Sequence, residues 1–328
     1  MGQQSVGVLN PLDRQIVGAL MIDGRATWRA IAGALGSSER SVTRHGNALL
    51  QAGVVEIRGM TDPHRSGRGD PYLAFGNSAP GRAWNVAASL ARRDESVLTY
   101  TLLGRADFFC DMWSPEHRRA QLFQHELSDV PGVERMTVLP VLRYIRTLHD
   151  WDPGVLDEQQ VAMLRKTRAG EWPQFAPPVK LAREEQLLIA ELIRDGRRTF
   201  EELSRLCGTS EQTVARKVHA MRESQLLAIR AVFDPAVIGL PTGALLWLRI
   251  KPQHVEHVAH LLAQQPYVRY AALIMGQFQI VADVRVSSKD ELNDVLLRAP
   301  WIAEVEAMDS ALILDVLKQG EVLAQELR

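Results

Sequence analysis

The 328-residue sequence predicts an α+β fold in which one unit, a three-helix domain followed by a βαββαβ domain, occurs twice. Three observations support this prediction. Shifting the sequence by 172 positions aligns it with itself over about fifty residues without a gap. Apolar residues recur with helical spacing at the start of each copy, and strand-like runs alternate with amphipathic helices in the rest.

The repeat begins at Asp23-Gly24-Arg25, which aligns with Asp195-Gly196-Arg197. Later pairs at the same offset include Arg44 with Arg216 and Asp111 with Asp283. The chain therefore contains a tandem repeat of one unit of about 140 residues.

Each copy opens with three short helices. In the first copy Asn10, Thr27 and Ser38 are suited to cap them, and Gly36 suits the turn between the second and third. In the second copy Thr199 begins a capping box. Three helices whose last two are joined by a tight turn are typical of a helix-turn-helix domain.

The third helix of each copy carries a polar, basic face opposite its apolar face. Such a face is usually only solvated, but its occurrence twice on this pattern favours contact with the DNA major groove. Arginine suits guanine edges, and Asn or Gln suits adenine. The candidate DNA contacts on these helices are Arg40, Thr43, Arg44, Asn47, Gln212, Arg216, Lys217 and His219.

Two further features of these domains remain open. Gly46 in the middle of the third helix costs about 1 kcal/mol relative to alanine, which predicts close packing or a less rigid domain. A strand-like run follows each third helix and is expected to form a wing, with Arg58 and Arg230 as candidate phosphate contacts. The basic loop at 64–69 fits a DNA-backbone contact and a solvated connector equally well.

The rest of each copy reads strand, helix, strand, strand, helix, strand, which is the ferredoxin-like βαββαβ order. The expected elements are 72–75, 83–92, 97–103, 107–113, 116–127 and 138–145, then 243–250, 255–264, 268–275, 279–286, 289–297 and 310–317. Several strands are apolar on both faces, although helices cover only one. We therefore expect the two sheets to pair face to face with pseudo-two-fold symmetry.

These patterns define the predicted domain boundaries. The helix-turn-helix domains are placed at 1–63 and 181–235, and the ferredoxin-like domains at 64–149 and 236–328. A linker at 150–180 joins the copies and contains a short helix, 156–168, followed by Pro173, Pro177 and Pro178.

The composition is that of a globular protein, with 46% hydrophobic and 23% charged residues. With a net charge of −1, a site for nucleic acid must be locally basic. Cys110 and Cys207 are too isolated for a disulfide framework or a cysteine metal site. No signal peptide or membrane helix is evident, so a cytoplasmic location is expected.

Signals of an enzyme are weak. Histidines recur every third residue at His254, His257 and His260. This spacing rotates them around a helix, so a solvated polar face is a more plausible interpretation than a metal site. Neither a Gly-rich phosphate loop nor a nucleophile elbow occurs. We expect no catalytic residue, metal or cofactor.

Five motifs in order carry a family resemblance. They are Asp-Gly-Arg before the second helix, Ser-Glu-x-x-Val-x-Arg on the third, Asp-Pro after the wing, Gly104-x-x-Asp107, and Pro131-Gly132-Val133. Together they resemble the Lrp/AsnC family of feast/famine regulators, over nearly the whole chain and twice. The resemblance implies winged helix-turn-helix domains and RAM-type ferredoxin-like domains.

The resemblance also implies a function. Members bind double-stranded DNA, form oligomers, and sense an amino acid or related metabolite between their ferredoxin-like domains. The implied effector contacts are Gly104, Asp107, Thr137, Gly276, Gln279 and Asp309. Gln279 and Asp309 depart from the first copy, so the two pockets are expected to differ. Lys217-Val218 fits the family's recognition helix better than His45-Gly46.

Two alternatives stay open. Siroheme decarboxylases resemble Lrp/AsnC proteins, sometimes as fused pairs, and act on a tetrapyrrole without needing DNA. A ligand-binding protein with vestigial helix-turn-helix domains is the third possibility.

Overall fold

The computed structural model describes residues 7–165, 176–320, 322–324 and 327. It divides into two compact units. Met1–Ser66 and Gly154–Gly239 form the first, and Gly67–Pro153 and Leu240–Arg328 form the second. The helix-turn-helix domains of the two copies thus share one unit, and their βαββαβ domains share the other.

The elements follow the repeated order that the sequence predicts. In the first copy they are α1 (Pro11–Ile22), α2 (Trp28–Leu35), α3 (Glu39–Gln51), β1 (Glu56–Thr61), β2 (Asp70–Ser78), α4 (Ala83–Ala91), β3 (Ser96–Gly104), β4 (Phe108–Ser114), α5 (Arg119–Gln121) and β5 (Val133–Arg146). From the linker onward they are α6 (Glu158–Leu164), α7 (Arg183–Arg194), α8 (Phe200–Cys207), α9 (Glu211–Glu223), β6 (Leu227–Val232), β7 (Thr242–Ile250), α10 (Val255–Ala263), β8 (Val268–Ile274), β9 (Ile280–Val286), α11 (Lys289–Arg298), β10 (Val305–Gln319) and β11 (Val322–Leu323).

The predicted caps start the helices of the first unit. Asn10, Thr27 and Ser38 each accept a hydrogen bond from the backbone N–H three residues further on. Thr199 caps α8 in a complete capping box. These bonds satisfy N–H groups that a helix start leaves without an intrahelical partner. The caps read from the sequence are confirmed.

The strands after the third helices correct one prediction. β1 and β6 do not form separate wings but pair with each other, antiparallel, in a two-stranded ribbon. Arg58 lies opposite Arg230 at its centre. Because these two residues occupy the same position of the repeat, the ribbon lies on a pseudo-two-fold axis that relates the two helix-turn-helix domains.

The second unit closes its strands into a ring. The order β3-β4-β2-β5-β8-β9-β7-β10 returns to β3, because β10 pairs with both β7 and β3. All of these pairings are antiparallel. The two sheets therefore meet edge to edge as well as face to face, which leaves no unpaired edge in the ring.

Three hydrophobic clusters fill this unit. The cluster inside the ring takes side chains from both copies, including Tyr100, Phe109, Trp247 and Tyr270. A second cluster lies under α10 and α11, and a third lies under α4. The predicted arrangement, in which helices cover one face of each sheet and the other faces meet, is confirmed.

Several elements differ from the prediction in their bounds or regularity. The last strand of each copy is longer than expected, with 14 residues in β5 and 15 in β10, because each pairs with strands of both copies. The expected helix 116–127 is irregular, with a 3₁₀ turn before α5 and a π turn at Leu122–Glu126. The segment before α6 is also not a free linker, because Leu156 is buried against Gly18.

The linker helix is shorter than expected. It ends at Leu164, and the predicted continuation to residue 168 and Pro173 lies outside the described residues. Among the described residues, no helix is both long and apolar enough to span a bilayer.

Candidate functional site

The outer face of α3 is open. Arg40, Arg44 and Asn47 are exposed, and Thr43 is half-buried. The opposite face is buried and carries Val42, Gly46 and Leu49. The cationic face therefore points away from the domain core.

The equivalent helix α9 has the same arrangement with different side chains. Gln212, Arg216 and His219 are exposed, whereas Val214 and Val218 are buried. The ammonium group of Lys217 lies 2.6 Å from a carboxylate oxygen of Glu184 on α7. The hydrogen bond and charge of Lys217 lower the pKa of Glu184. Lys217 is thus tied to its own domain.

The departures in the first copy have a packing explanation. His45 Nδ1 lies 2.6 Å from Asp13 on α1, so His45 makes the helix-to-helix contact that Lys217 makes in the second copy. A Cβ at Gly46 would lie 2.4 Å from the ring of Trp28 on α2. Gly46 is therefore required by close packing, one of the two readings that the sequence left open.

The repeated Asp-Gly-Arg motif joins the two domains. Arg25 donates to the carbonyls of Gly196 and Arg198, at 2.9 and 3.0 Å. Arg197 donates to the carbonyls of Gly24 and Ala26, both at 2.9 Å. Each guanidinium also lies over an aromatic ring of the other copy, Phe200 for Arg25 and Trp28 for Arg197.

The sequence revealed these arginines only as part of a repeated motif before the second helix. The signal that could have found them is the exact recurrence of the motif in both copies, since a reciprocal contact needs the same residues twice. The glycine also takes part, because Gly24 N–H donates to Ile229 on β6 at 2.8 Å and Gly196 N–H donates to Ile57 on β1 at 2.7 Å.

Arg58 and Arg230 reinforce the same junction. Arg58 pairs with Glu56 and donates to the carbonyl of Ile193, and Arg230 donates to the carbonyl of Met21. Ile193 and Met21 are equivalent residues of the repeat, so the two contacts are symmetric. These guanidinium groups are engaged in contacts within the ribbon junction.

Some of the predicted effector residues lie where strands of the two copies meet. The Gly104–Asp107 loop lies against β10, since a Cβ at Gly104 would be 2.8 Å from the carbonyl of Ser310. The equivalent loop at Gly276 lies near Leu139 of β5. Both glycines have a positive φ, 143° and 132°. Thr137 lies on β5 opposite Phe75.

Asp107 and Gln279 perform the same structural task. Asp107 accepts a hydrogen bond from the backbone N–H of Ser78, and Gln279 accepts one from that of Ile250, both at 2.8 Å. Ser78 and Ile250 are equivalent positions of the repeat. The amide of Gln279 therefore replaces the carboxylate as a backbone acceptor but brings no negative charge.

Arg105 makes the first of these loops different from the second. Its guanidinium pairs with Asp309 on β10 and lies 4.8 Å from the ring centre of Phe278. The residue equivalent to Arg105 is Gln277, and Thr137 is equivalent to Asp309. One junction thus holds an arginine and a carboxylate, and the other holds neutral side chains.

Two buried carboxylates inside the ring were not singled out from the sequence. Asp111 accepts hydrogen bonds from the hydroxyls of Tyr144 and Tyr270 at 3.1 and 2.9 Å. Burial raises the pKa of Asp111 to about 7, although both tyrosine bonds act to lower it. Asp283 instead pairs with Arg285 at 2.8 Å and Arg269 at 3.6 Å.

The candidate histidines do not gather into a cluster. His254 Nδ1 lies 2.8 Å from Glu304. Within the ranges that the structure covers, no three His, Cys, Asp or Glu side chains come close enough together to hold a metal ion. Cys110 is buried, as its apolar context predicts, and Cys207 is half-buried.

Family models match most of these elements. The model of the AsnC-type helix-turn-helix domain matches residues 9–44 and again 186–222. The model of the Lrp/AsnC ligand binding domain matches residues 243–323. The chain contains two AsnC-type helix-turn-helix domains and a Lrp/AsnC ligand binding domain. The first match ends at Arg44 inside α3, and the second covers α9 as far as Arg222.

Curated relatives of this chain align with less than half of it. The HTH-type transcriptional regulator FL11 of Pyrococcus horikoshii is 26% identical over 142 residues, 43% of this chain and 94% of that protein. FL11 of Pyrococcus furiosus is 26% identical over 133 residues, 40% of this chain and 88% of that protein. Each relative therefore has about the length of one copy.

A solved structure shares the fold over almost the whole tandem. The siroheme decarboxylase NirDL covers 94% of this chain and 93% of its own at a TM-score of 0.60 and 15% identity. The structure of its complex with an iron-uroporphyrin III analogue matches this chain with a TM-score of 0.61. At this identity the similarity shows a common fold, whereas the relatives found by sequence are regulators.

Proposed function

We propose that this protein is a single-chain transcription regulator that binds double-stranded DNA through α3 and α9. The observation that carries the proposal is the first unit itself. Two AsnC-type helix-turn-helix domains are joined about a pseudo-two-fold axis, and each keeps the polar face of its third helix exposed. A symmetric pair of exposed third helices is the arrangement with which such proteins enter two successive major grooves.

The charge distribution supports this proposal. The whole chain has a net charge of −1, but α3 exposes Arg40 and Arg44, and α9 exposes Arg216 and His219. Of the predicted DNA contacts we retain Arg40, Thr43, Arg44, Asn47, Gln212, Arg216 and His219, with Lys217 at the edge of the surface.

The test removes the one arginine that both faces share. Arg44→Ala with Arg216→Ala is expected to weaken binding to the upstream region of the protein's own gene by at least tenfold. If both arginines contact phosphates, the slope of log affinity against log salt falls by about 2. Fluorescence anisotropy across a salt series measures both quantities.

A matched control separates local from overall charge. Arg135→Ala with Arg298→Ala removes two exposed or half-exposed arginines from the ferredoxin-like domains, so the net charge changes equally. Its affinity is expected to stay near that of the wild type. Equal affinity of both double variants, or no binding of the wild type at low salt, would sink the proposal.

We further propose that an amino acid or related small metabolite binds where the two ferredoxin-like domains meet. We propose Gly104, Asp107, Thr137, Gly276, Gln279 and Asp309 as its contacts. The Arg105 and Asp309 pair suits a ligand with both charges, and its absence from the other junction favours one pocket over two. A thermal-shift screen of amino acids tests this, since a ligand at 100 times its Kd stabilises by about 2.7 kcal/mol.

Further oligomerisation is part of the proposal. Leu103 and Leu142 are 60% and 49% exposed, and their repeat equivalents Met275 and Leu314 are 52% and 55% exposed. Exposed large apolar side chains at symmetric positions suit a self-association surface. Light scattering should give a molar mass of more than one chain per particle. The double variant Leu142→Glu with Leu314→Glu should lower this molar mass.

A siroheme decarboxylase-like enzyme is the second candidate. It is favoured by the fold shared with NirDL over almost the whole chain. Titration with siroheme tests it. A Soret band that saturates at a fixed stoichiometry, followed by loss of carbon dioxide, would support the enzyme, and an unchanged spectrum would reject it.

A further inference from the structure

We propose that the operator of this protein is asymmetric, with two half-sites of different sequence read by one chain. This inference rests on the proposed DNA binding and adds which DNA is bound. It follows from two observations: the recognition faces of α3 and α9 differ, and the structure joins them in one unit.

Arg44 and Arg216 are the one predicted DNA contact that the two faces share, although the exposed Glu39 and Ala48 also recur, as Glu211 and Ala220. At three further predicted contact positions, Arg40, Thr43 and Asn47 of α3 correspond to Gln212, Ala215 and His219 of α9. The buried faces differ as well, because Val42 and Val214 are identical but Gly46 corresponds to Val218 and Leu49 to Met221. The differences at positions 40, 43 and 47 are the ones that lie on the surface available to DNA.

The largest chemical difference lies at the start of the helices. Arg40 and Gln212 are each the second residue of their helix, and both are exposed. The N-terminal residues of a recognition helix contact base edges. An arginine suits the O6 and N7 acceptors of guanine, whereas a glutamine suits N6 and N7 of adenine. The two half-sites should differ at this base pair.

The junction between the domains joins α3 and α9, whose side chains differ, in one unit of the same chain. β1 pairs with β6 over six residue pairs, and Arg25 and Arg197 clamp each domain to carbonyls of the other. A homodimer of single-copy subunits presents the same helix twice and so favours a palindrome. In this protein the backbones of the two helix-turn-helix domains keep a pseudo-two-fold symmetry, whereas the exposed side chains of α3 and α9 do not.

The experiment is selection of bound duplexes from a randomised library by the full-length protein. The expected consensus has two half-sites at fixed spacing, with guanine in one where the other has adenine. Arg40→Gln should replace that guanine by adenine in one half-site and leave the other unchanged. Gln212→Arg should make the reciprocal change. Affinity for the wild-type operator should fall about 5- to 150-fold in each variant and recover on the matching operator.

The outcomes separate the inference from the function on which it rests. Two identical half-sites within the segment read by one chain, or an Arg40→Gln variant that changes both half-sites of that segment or neither, overturns the asymmetric operator while DNA binding stands. A library from which no duplex is enriched overturns the proposed function as well. Both side chains are exposed, so circular dichroism of the variants should match the wild type and exclude misfolding.

Discussion

Asp111 and Asp283 occupy the same position of the repeat and are equally buried, yet their surroundings are opposite. Asp111 is held by hydroxyl groups of Tyr144 and Tyr270. Asp283 is held by two guanidinium groups, with the hydroxyl of Tyr100 at 2.6 Å. One carboxylate is compensated by cations, and the other by neutral donors.

The difference teaches that sequence identity at a repeat position does not fix its chemistry. Tyr270 reaches Asp111 from the second copy, and Tyr100 reaches Asp283 from the first, so the closed ring supplies each carboxylate with a partner from the other copy. Inside a low-dielectric core, the partners decide whether a carboxyl group is charged. The two repeats have thus diverged in their cores as well as on their recognition helices.

The largest effect is expected when the compensated carboxylate is removed. Asp283→Asn leaves Arg269 and Arg285 buried without their shared counter-ion. The free energy of unfolding should fall by about 3–5 kcal/mol. Urea unfolding followed by tryptophan fluorescence measures it. A loss below about 1 kcal/mol would show that this carboxylate is not required to compensate the arginines.

Asp111→Asn should change the pH dependence of stability. Since burial raises the pKa of Asp111 from 3.8 to about 7, the folded state holds a proton that the unfolded state releases over this interval. Wild-type stability therefore falls as pH rises from about 4 to 7, by up to roughly 4 kcal/mol from this group. The variant should lack this fall and exceed the wild type at pH 8. Parallel stability curves for the two proteins would contradict the prediction.

A smaller effect is expected at the recognition helix of the first copy. Gly46→Ala places a methyl group against Trp28. The free energy of unfolding should fall by about 1–3 kcal/mol, despite the better helix propensity of alanine. The double change Trp28→Phe with Gly46→Val copies the Phe200 and Val218 pair of the second copy and should recover part of the loss. Thermal unfolding compares the variants.

Gly33→Ala provides the control of opposite sign. Gly33 lies inside α2, and a Cβ there meets nothing within 4 Å. The substitution should raise the free energy of unfolding by about 0.5–1 kcal/mol. If Gly46→Ala also stabilises, the close contact with Trp28 is not the reason for this glycine.

Local structure was largely predictable from the sequence. Caps such as Ser38 and Thr199, the apolar face of α3 and the βαββαβ order depend on residues a few positions apart, which patterns reveal. The exposed face of each recognition helix followed from the same periodicity. The roles of Arg25, Arg58 and their equivalents did not, because the backbone carbonyls to which these side chains donate lie more than 130 residues away.

The sequence alone determined that this protein is one unit written twice, which segments are helices and strands, and which faces are buried, since local periodicity encodes these. Only the tertiary structure decided which strand edges meet. A backbone N–H can pair with any strand edge, so the β1–β6 ribbon, the closure of β10 on β3 and the partners of Asp111 and Asp283 depend on how the two copies fit together.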